Sequence, residues 1–455
     1  MITKVKKIIN SREMLIALSQ NKKPVDARFN KDALWSLGLR LTFTFITFFT
    51  TVLLARLLGT TGYGIYAYVF SIISVLSIPA KFGLPPLVLR ETAKGITKND
   101  PSLVKGIWVW SGRFVGWTSL GLVAVGILLA WFWRERFPEE YLNTFMWGIL
   151  LIPILTVGNL RGAALQGLRK IVQGQLPENL VRPGMLLLLL GTVWATKQTL
   201  LPEQAMLFQV IASIIAFGVG VRLLTLNTPQ AVKQAPPRFE NHRWWKSVLP
   251  LSLIGSMAII DKNISTLVLG FFLPADQIGI YRVAVRVSVL ASFGLQVLNV
   301  VVAPRFASLY ASNRIKELQH LVTSSARVIL AFNLFVTLGI ALFGRWFLTV
   351  FFGSDFVVAY TPLLILLGGQ LINSSAGSVG KLLNMTDHER EVAKGRAVAA
   401  ILNVFLSLIL IPPFGVYGAA TATVLAMIVW NYILWKAVFD KMGINSLAFS
   451  LRRID

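Results

Sequence analysis

The sequence predicts an all-α polytopic membrane protein of about 12 transmembrane helices in two pseudo-symmetric six-helix lobes, and three observations carry that expectation. Of its 455 residues, 55% are hydrophobic and only 14% are charged, so lipid must solvate most of the chain. The apolar runs are about 20 residues long, the length at which a helix crosses hydrocarbon with its own backbone satisfied. A repeat also recurs at an offset of about 215 residues.

The spans are expected near 36–57, 64–85, 107–133, 143–164, 176–197, 204–226, 248–271, 278–302, 325–348, 358–380, 391–411 and 415–437. Residues 1–35 then form a cytoplasmic basic segment, 36–226 the N-lobe (spans 1 to 6), 227–247 a cytoplasmic linker, 248–437 the C-lobe (spans 7 to 12) and 438–455 a cytoplasmic tail. In the first segment Ile8, Ile9, Leu15, Ile16 and Leu18 among Lys and Arg fit an interfacial helix. No apolar core with a small-residue cleavage site follows, so a cleaved signal peptide is not expected. In the linker, Pro229, Pro236 and Pro237 predict an extended polar segment, and Trp244-Trp245 fit a headgroup-level anchor. Pro79, Pro153, Pro183, Pro250 and Pro362 fall in or beside spans and predict structural kinks.

The net charge of +24 would suit nucleic acid, but its placement points to the bilayer. Thirty of the 44 Lys and Arg fall on the side of the amino terminus, whereas the opposite side carries Arg56, Arg134, Arg136 and Lys197. The positive-inside rule therefore puts both termini in the cytoplasm, in a bacterial inner membrane, with anionic headgroups as the partner of these charges. There is no cysteine, and His242, His320 and His388 all lie in polar segments between spans. No metal site, His-based triad, nucleotide-binding phosphate loop or cofactor is expected, and hence no enzyme.

The repeat is read from five coincidences in one order. Gly64-Ile65-Tyr66 answers Gly279-Ile280-Tyr281, Arg90 answers Arg305, and Trp131-Phe132 answers Trp346-Phe347, all at 215; Arg113 and Arg327, and Asn159 and Asn373, match at 214. Six spans is an even number, so both halves enter the membrane from the same side. That is the parallel-repeat transporter plan, with a site between the halves and alternating access by rocking.

The run LLARLLGTTGYGIYAYVFSIISVLSIPAKFGLPPLVLRETAKG, residues 53–95, resembles the opening of the polysaccharide transporter or oligosaccharide flippase family of the multidrug/oligosaccharidyl-lipid/polysaccharide exporter superfamily. LRGAALQGLRKIVQGQLPENLVRP from Leu160, LVLGFFLPADQIGIYRVAVRVSVL from Leu267 and PPFGVYGAATATV from Pro412 are similar to later family stretches. The resemblance implies a V-shaped cavity lined largely by spans 1, 2, 7 and 8. It implies as cargo an undecaprenyl-diphosphate-linked oligosaccharide, with glycan-assembly proteins as candidate partners. The lipid II flippase branch carries two further carboxy-terminal spans, which disfavours a peptidoglycan precursor here.

Ten basic residues remain once those assigned to either side are set apart: Arg40, Lys81, Arg113, Arg182, Arg222, Lys262, Arg282, Arg286, Arg327 and Arg345. Each costs about 2.5 to 3.5 kcal/mol at a helix centre, so the deep ones need a role. Lys81, Arg222, Arg327 and Arg345 lie near span ends and can snorkel. Arg182 follows Glu178 by four residues, the spacing of an intrahelical ion pair, and Arg113 sits in a peripheral span. Arg40, Arg282 and Arg286 remain as candidates to bind a diphosphate, because a guanidinium fork grips phosphate oxygens bidentately and stays charged. Asp261, the one carboxylate well inside a span, and its neighbour Lys262 are candidates for coupling to protons or sodium ions. Asp261 should lie about 15 Å below the outer end of span 7 and Arg286 about 12 Å below that of span 8, so the two are expected to pair.

Two rival functions frame this reading. A multidrug cation antiporter of the same fold would need buried carboxylates where this chain has guanidiniums. A sugar polymerase or ligase would need a larger outer domain than loops whose acidic cluster is Glu135, Glu139 and Glu140, and a non-transporting scaffold for glycan assembly has no residue in its favour.

Overall fold

A computed structural model describes residues 26–132 and 134–449; the expected interfacial helix with Ile8, Ile9, Leu15, Ile16 and Leu18 lies outside the described residues. The described chain is a succession of helices without a strand. Nine of its helical segments are long and apolar enough to cross a membrane.

Helix α1 (Asp26–Lys81) and α16 (Glu389–Met442) are each far longer than one crossing. Both are broken at a glycine with positive φ, Gly59 at 67° and Gly415 at 55°, a conformation that costs glycine little. At Gly415 the arms turn back past each other, and a Cβ on Gly418 would sit 2.0 Å from the Leu410 carbonyl oxygen. Between them run α2 (Leu84–Thr97), α3 (Pro101–Phe132), α4 (Glu139–Ile149), α5 (Leu151–Gly167), α6 (Ile171–Leu176), α7 (Arg182–Ala195), α8 (Pro202–Asn227) and the short α9 (Gln230–Gln234). The second half continues with α10 (Asn241–Phe272), α11 (Ala275–Ala291), α12 (Phe293–Ala311), α13 (Ile315–Phe351), α14 (Tyr360–Ala376) and α15 (Val379–Asn384). One π-helical turn, Pro177–Val181, joins α6 to α7 inside the stretch expected as span 5.

The largest core joins the halves, with Phe48, Ile65 and Val69 of α1 packed among Ile278, Val283 and Val287 of α11 and Leu348 of α13. The two Gly-Ile-Tyr copies meet inside it. Their tyrosines bond in parallel fashion: the Tyr66 hydroxyl donates to Gln209 Oε1 on α8 at 3.3 Å, and the Tyr281 hydroxyl lies 2.9 Å from Thr423 Oγ1 on α16. Gln209 and Thr423 are themselves 214 positions apart, so each half fastens its tyrosine to its own last long helix.

The connecting segments are held in place. The linker expected to be extended contains the short helix α9 and is tied to the first half: Arg238 bridges Asp100 at 2.7 Å, its backbone N–H donates to the Ser102 carbonyl at 3.0 Å, and its backbone presses on Gly106. Trp244 is no headgroup anchor, because it is fully buried among Leu84, Leu87, Leu103 and Ile107 of the first half. The neighbouring Trp245 stays half-exposed against Trp110 and Phe114. The described residues after α16 pack back onto the second half. Ile444 and Ser446 are buried, Asn445 N–H donates to Gln319 Oε1 at 2.8 Å, and Arg327 Nε donates to the Ala448 carbonyl at 3.0 Å.

A cationic cavity as the candidate substrate site

Where the two halves face each other, the first arm of α1, the start of its second arm, α7, α8, α10 and α11 enclose a cavity of about 280 Å³. Phe43, Thr47, Thr50, Thr51, Tyr63 and Tyr66 line it from α1, Arg182 from α7, Gln209 from α8, Lys262 from α10, and Arg282 and Arg286 from α11. Four cationic side chains thus share one wall space with no carboxylate among the lining residues.

Helix geometry explains the gathering. Arg282 and Arg286 are four residues apart and emerge on one face of α11, turned towards α1. Arg282 lies within electrostatic reach of the Tyr63 phenol, with Thr51 beside it, so a C-half guanidinium faces the N-half. Arg286 Nη2 is buried and has no hydrogen-bond partner. A buried donor left open in this way is costly unless a ligand or solvent completes it.

The Glu178–Arg182 pair expected from spacing is formed at 3.2 Å, and the structure adds a third member, Arg161, at 3.3 Å from the other Glu178 oxygen. Arg161 is almost wholly buried, its guanidinium donating to the Phe217 carbonyl at 2.6 Å. Lys81 does not snorkel away: it lies within electrostatic reach of Arg182, Glu178 and Lys262.

The expected Arg286–Asp261 pair is not formed. Successive residues on a helix diverge by about 100°, so Lys262 takes the cavity face of α10 and Asp261 turns into the second half. There its carboxylate lies within electrostatic reach of Arg396 and beside Asn403. Ser265, one turn on, approaches Thr423 at 3.2 Å and Asn403 Oδ1 at 3.5 Å. Arg113 is exposed on α3, away from the cavity. The side chain of Arg40 lies outside the described residues.

Sequence reasoning missed Tyr63, Gln209 and Arg161. The signal for Gln209 was present in its 214-residue match to Thr423. Arg161 falls near the end of the expected span 143–164, and only the packing of α5 against α8 reveals it as interior.

A family model for polysaccharide biosynthesis proteins matches residues 29–310. The chain belongs to the polysaccharide biosynthesis protein family. The probable low-salt glycan biosynthesis flippase Agl15 of Haloferax volcanii is 23% identical over 403 residues, covering 86% of this chain and 78% of that one. Among solved structures, an inward-facing multidrug resistance MATE family transporter of the MOP superfamily matches with a TM-score of 0.73 at 12% identity, over 90% of this chain and 98% of that one. The lipid II flippase MurJ, in an inward closed conformation, matches with a TM-score of 0.67 at 16% identity, over 89% and 87%. At such identities the two structures establish the fold. This member of the polysaccharide biosynthesis protein family is therefore a multi-pass membrane protein, helical throughout its described residues, with the fold of those transporters.

Proposed function

We propose that the protein moves an undecaprenyl-diphosphate-linked oligosaccharide from the cytoplasmic to the outer leaflet of a bacterial cell membrane, for polysaccharide assembly, by alternating access. The observation that carries the reading is the cavity itself, in which Arg182, Lys262, Arg282 and Arg286 converge without a lining carboxylate and one guanidinium nitrogen of Arg286 is buried unpaired. A dianionic diphosphate supplies the missing acceptors, and the planar guanidinium forks bind its oxygens bidentately.

Twelve crossings in two six-crossing lobes, with both termini and the 227–247 linker cytoplasmic, accommodate this motion. The 30 basic residues assigned to one side support that orientation. An inside-negative potential favours outward movement by about 2.3 kcal/mol per charge per 100 mV, so transport needs no nucleotide. Asp261, with Asn403, Ser265 and Thr423 around it, is the place for a coupling cation, whether proton or sodium ion; Lys262 belongs with the substrate cations instead.

The fold match to a multidrug transporter gives the rival reading, export of organic cations. Four cations on the cavity wall repel such a cargo. The deciding experiment is deletion of the gene in a strain without a paralogue. Lipid-linked oligosaccharide should accumulate on the cytoplasmic leaflet, and normal surface glycan together with lost drug efflux would favour the rival.

A further inference from the structure

Among the described residues, one carboxylate forms an ion pair with a cation of the cavity, and it is not on the wall. Glu178 sits in the π-helical turn between α6 and α7 and holds two guanidiniums at once, Arg161 at 3.3 Å and Arg182 at 3.2 Å. The two are not equivalent. The Arg161 side chain is 4% exposed, donates to the Phe217 carbonyl and lies over the Phe217 ring. The helix opposite makes room for it, because a Cβ on Gly220 would fall 2.0 Å from its Cζ. Arg182 is 24% exposed, lines the cavity and has Glu178 as its ion-pair partner. Arg161 is thus built in, while Arg182 can turn. Single π-turns inside α-helices are frequent at functional sites, and this one places the carboxylate between the two.

We propose that Glu178 is the resting counter-ion of the empty cavity and that Arg182 leaves it to bind a substrate phosphate from the N-half, facing Arg282 and Arg286 of the C-half. This rests on the reading of the cavity as a diphosphate site and deepens it. Partner exchange strands no charge, since Glu178 keeps Arg161 and Arg182 gains the phosphate. The Glu178–Arg182 contact is a single one at 3.2 Å, whereas a bidentate guanidinium–phosphate contact is among the stronger charge-assisted bonds. The exchange also makes the anion a bridge between halves. With the cavity empty, Arg182 faces three like charges across the gap; a dianion between them replaces that repulsion with attraction on both sides. Glu178 is then a positioning residue whose charge weakens binding and speeds release.

The test uses the full chain in lipid nanodiscs, with undecaprenyl diphosphate as the binding probe and flipping of a labelled lipid-linked oligosaccharide in proteoliposomes as the second readout. Arg182→Gln should raise the Kd about tenfold, the loss of one hydrogen-bonded charge contact. Glu178→Gln should do the opposite, lowering both the Kd and the KM several-fold while also lowering kcat, because Arg182 is freed and release slows. Glu178→Gln leaves Arg161 buried without its partner, so the double variant Arg161→Met, Glu178→Gln is measured beside it. It removes the buried pair, keeps Arg182, and should show the same tightened binding. A Kd unchanged or raised in both Glu178 variants, or an Arg182→Gln chain that binds as wild type, overturns the assignment and leaves a static ion triad. A wild-type chain that does not bind the diphosphate overturns the transport reading along with it.

Discussion

Gly64 and Gly279, which hold matching places in the two copies of the repeat, lie backbone to backbone where α1 crosses α11. A Cβ on Gly64 would fall 1.7 Å from the Ala275 carbonyl oxygen, and one on Gly279 would fall 2.2 Å from that of Thr60. Tyr63 and Tyr66 reach the cavity from either side of Gly64 in the sequence, so this crossing adjoins it. Gly64→Ala or Gly279→Ala must push the helices apart. In this chain, naturally free of cysteine, a single Ala67→Cys reporter on the cavity wall should then react several-fold faster with a membrane-impermeant maleimide applied from the side of the crossing. Unchanged labelling in a normally abundant variant would show that the crossing is not a gate.

A second tie also joins the halves. Arg56 Nε donates to the Phe351 carbonyl at 2.7 Å and its Nη2 to Val350, capping the C-terminus of α13, while the guanidinium lies 5.6 Å from the Trp194 ring centroid. A cation suits the negative end of a helix dipole. Arg56→Gln should raise labelling of the Ala67→Cys reporter in the same direction as the glycine variants, and Arg56→Lys should do so less. Equal, unchanged labelling in both would reduce the contact to surface decoration.

Trp244 belongs to the core of the first half although it begins the first helix of the second. Trp244→Ala should destabilise the protein by about 3 to 5 kcal/mol, the cost of emptying a large buried aromatic site. Trp245→Ala, at a half-exposed position, should cost clearly less. Thermal unfolding in detergent would distinguish them, and equal melting temperatures would restore the headgroup-anchor reading of both tryptophans.

Composition and periodicity made the membrane class and the helical fold legible, since the length of an apolar run follows directly from bilayer thickness. The repeat went further than its purpose: the Gly-Ile-Tyr copies chosen as markers of duplication turned out to be the residues in contact between the halves. Arg282 and Arg286 were legible as a pair because spacing of four fixes a shared helix face. The partners of Asp261 were not. Depth along a helix can be read from rise per residue, but azimuth decides whether two residues at one depth meet, and a boundary error of one residue turns the face by about 100°. Arg161 was hidden for the same reason, as its burial depends on Gly220 in another helix.

Arg286 presents a buried, unpartnered nitrogen to the cavity, and charge alone should not replace it. Arg286→Lys keeps the charge and loses the fork, so its transport rate should fall about tenfold or more, as for loss of a charge-assisted hydrogen bond. Wild-type transport by the lysine variant would mean that the cavity recognises charge without geometry.

The most direct test of the transport account is flipping itself, measured in proteoliposomes holding undecaprenyl-diphosphate-linked oligosaccharide in the inner leaflet, with a membrane-impermeant glycosidase outside to report arrival. The wild-type chain should expose the glycan with time, faster under an inside-negative potential, and the Arg282→Gln, Arg286→Gln double variant should not, at equal abundance and melting temperature. Glycan that stays protected in wild-type liposomes, or that emerges at the same rate in the double variant, would contradict the account.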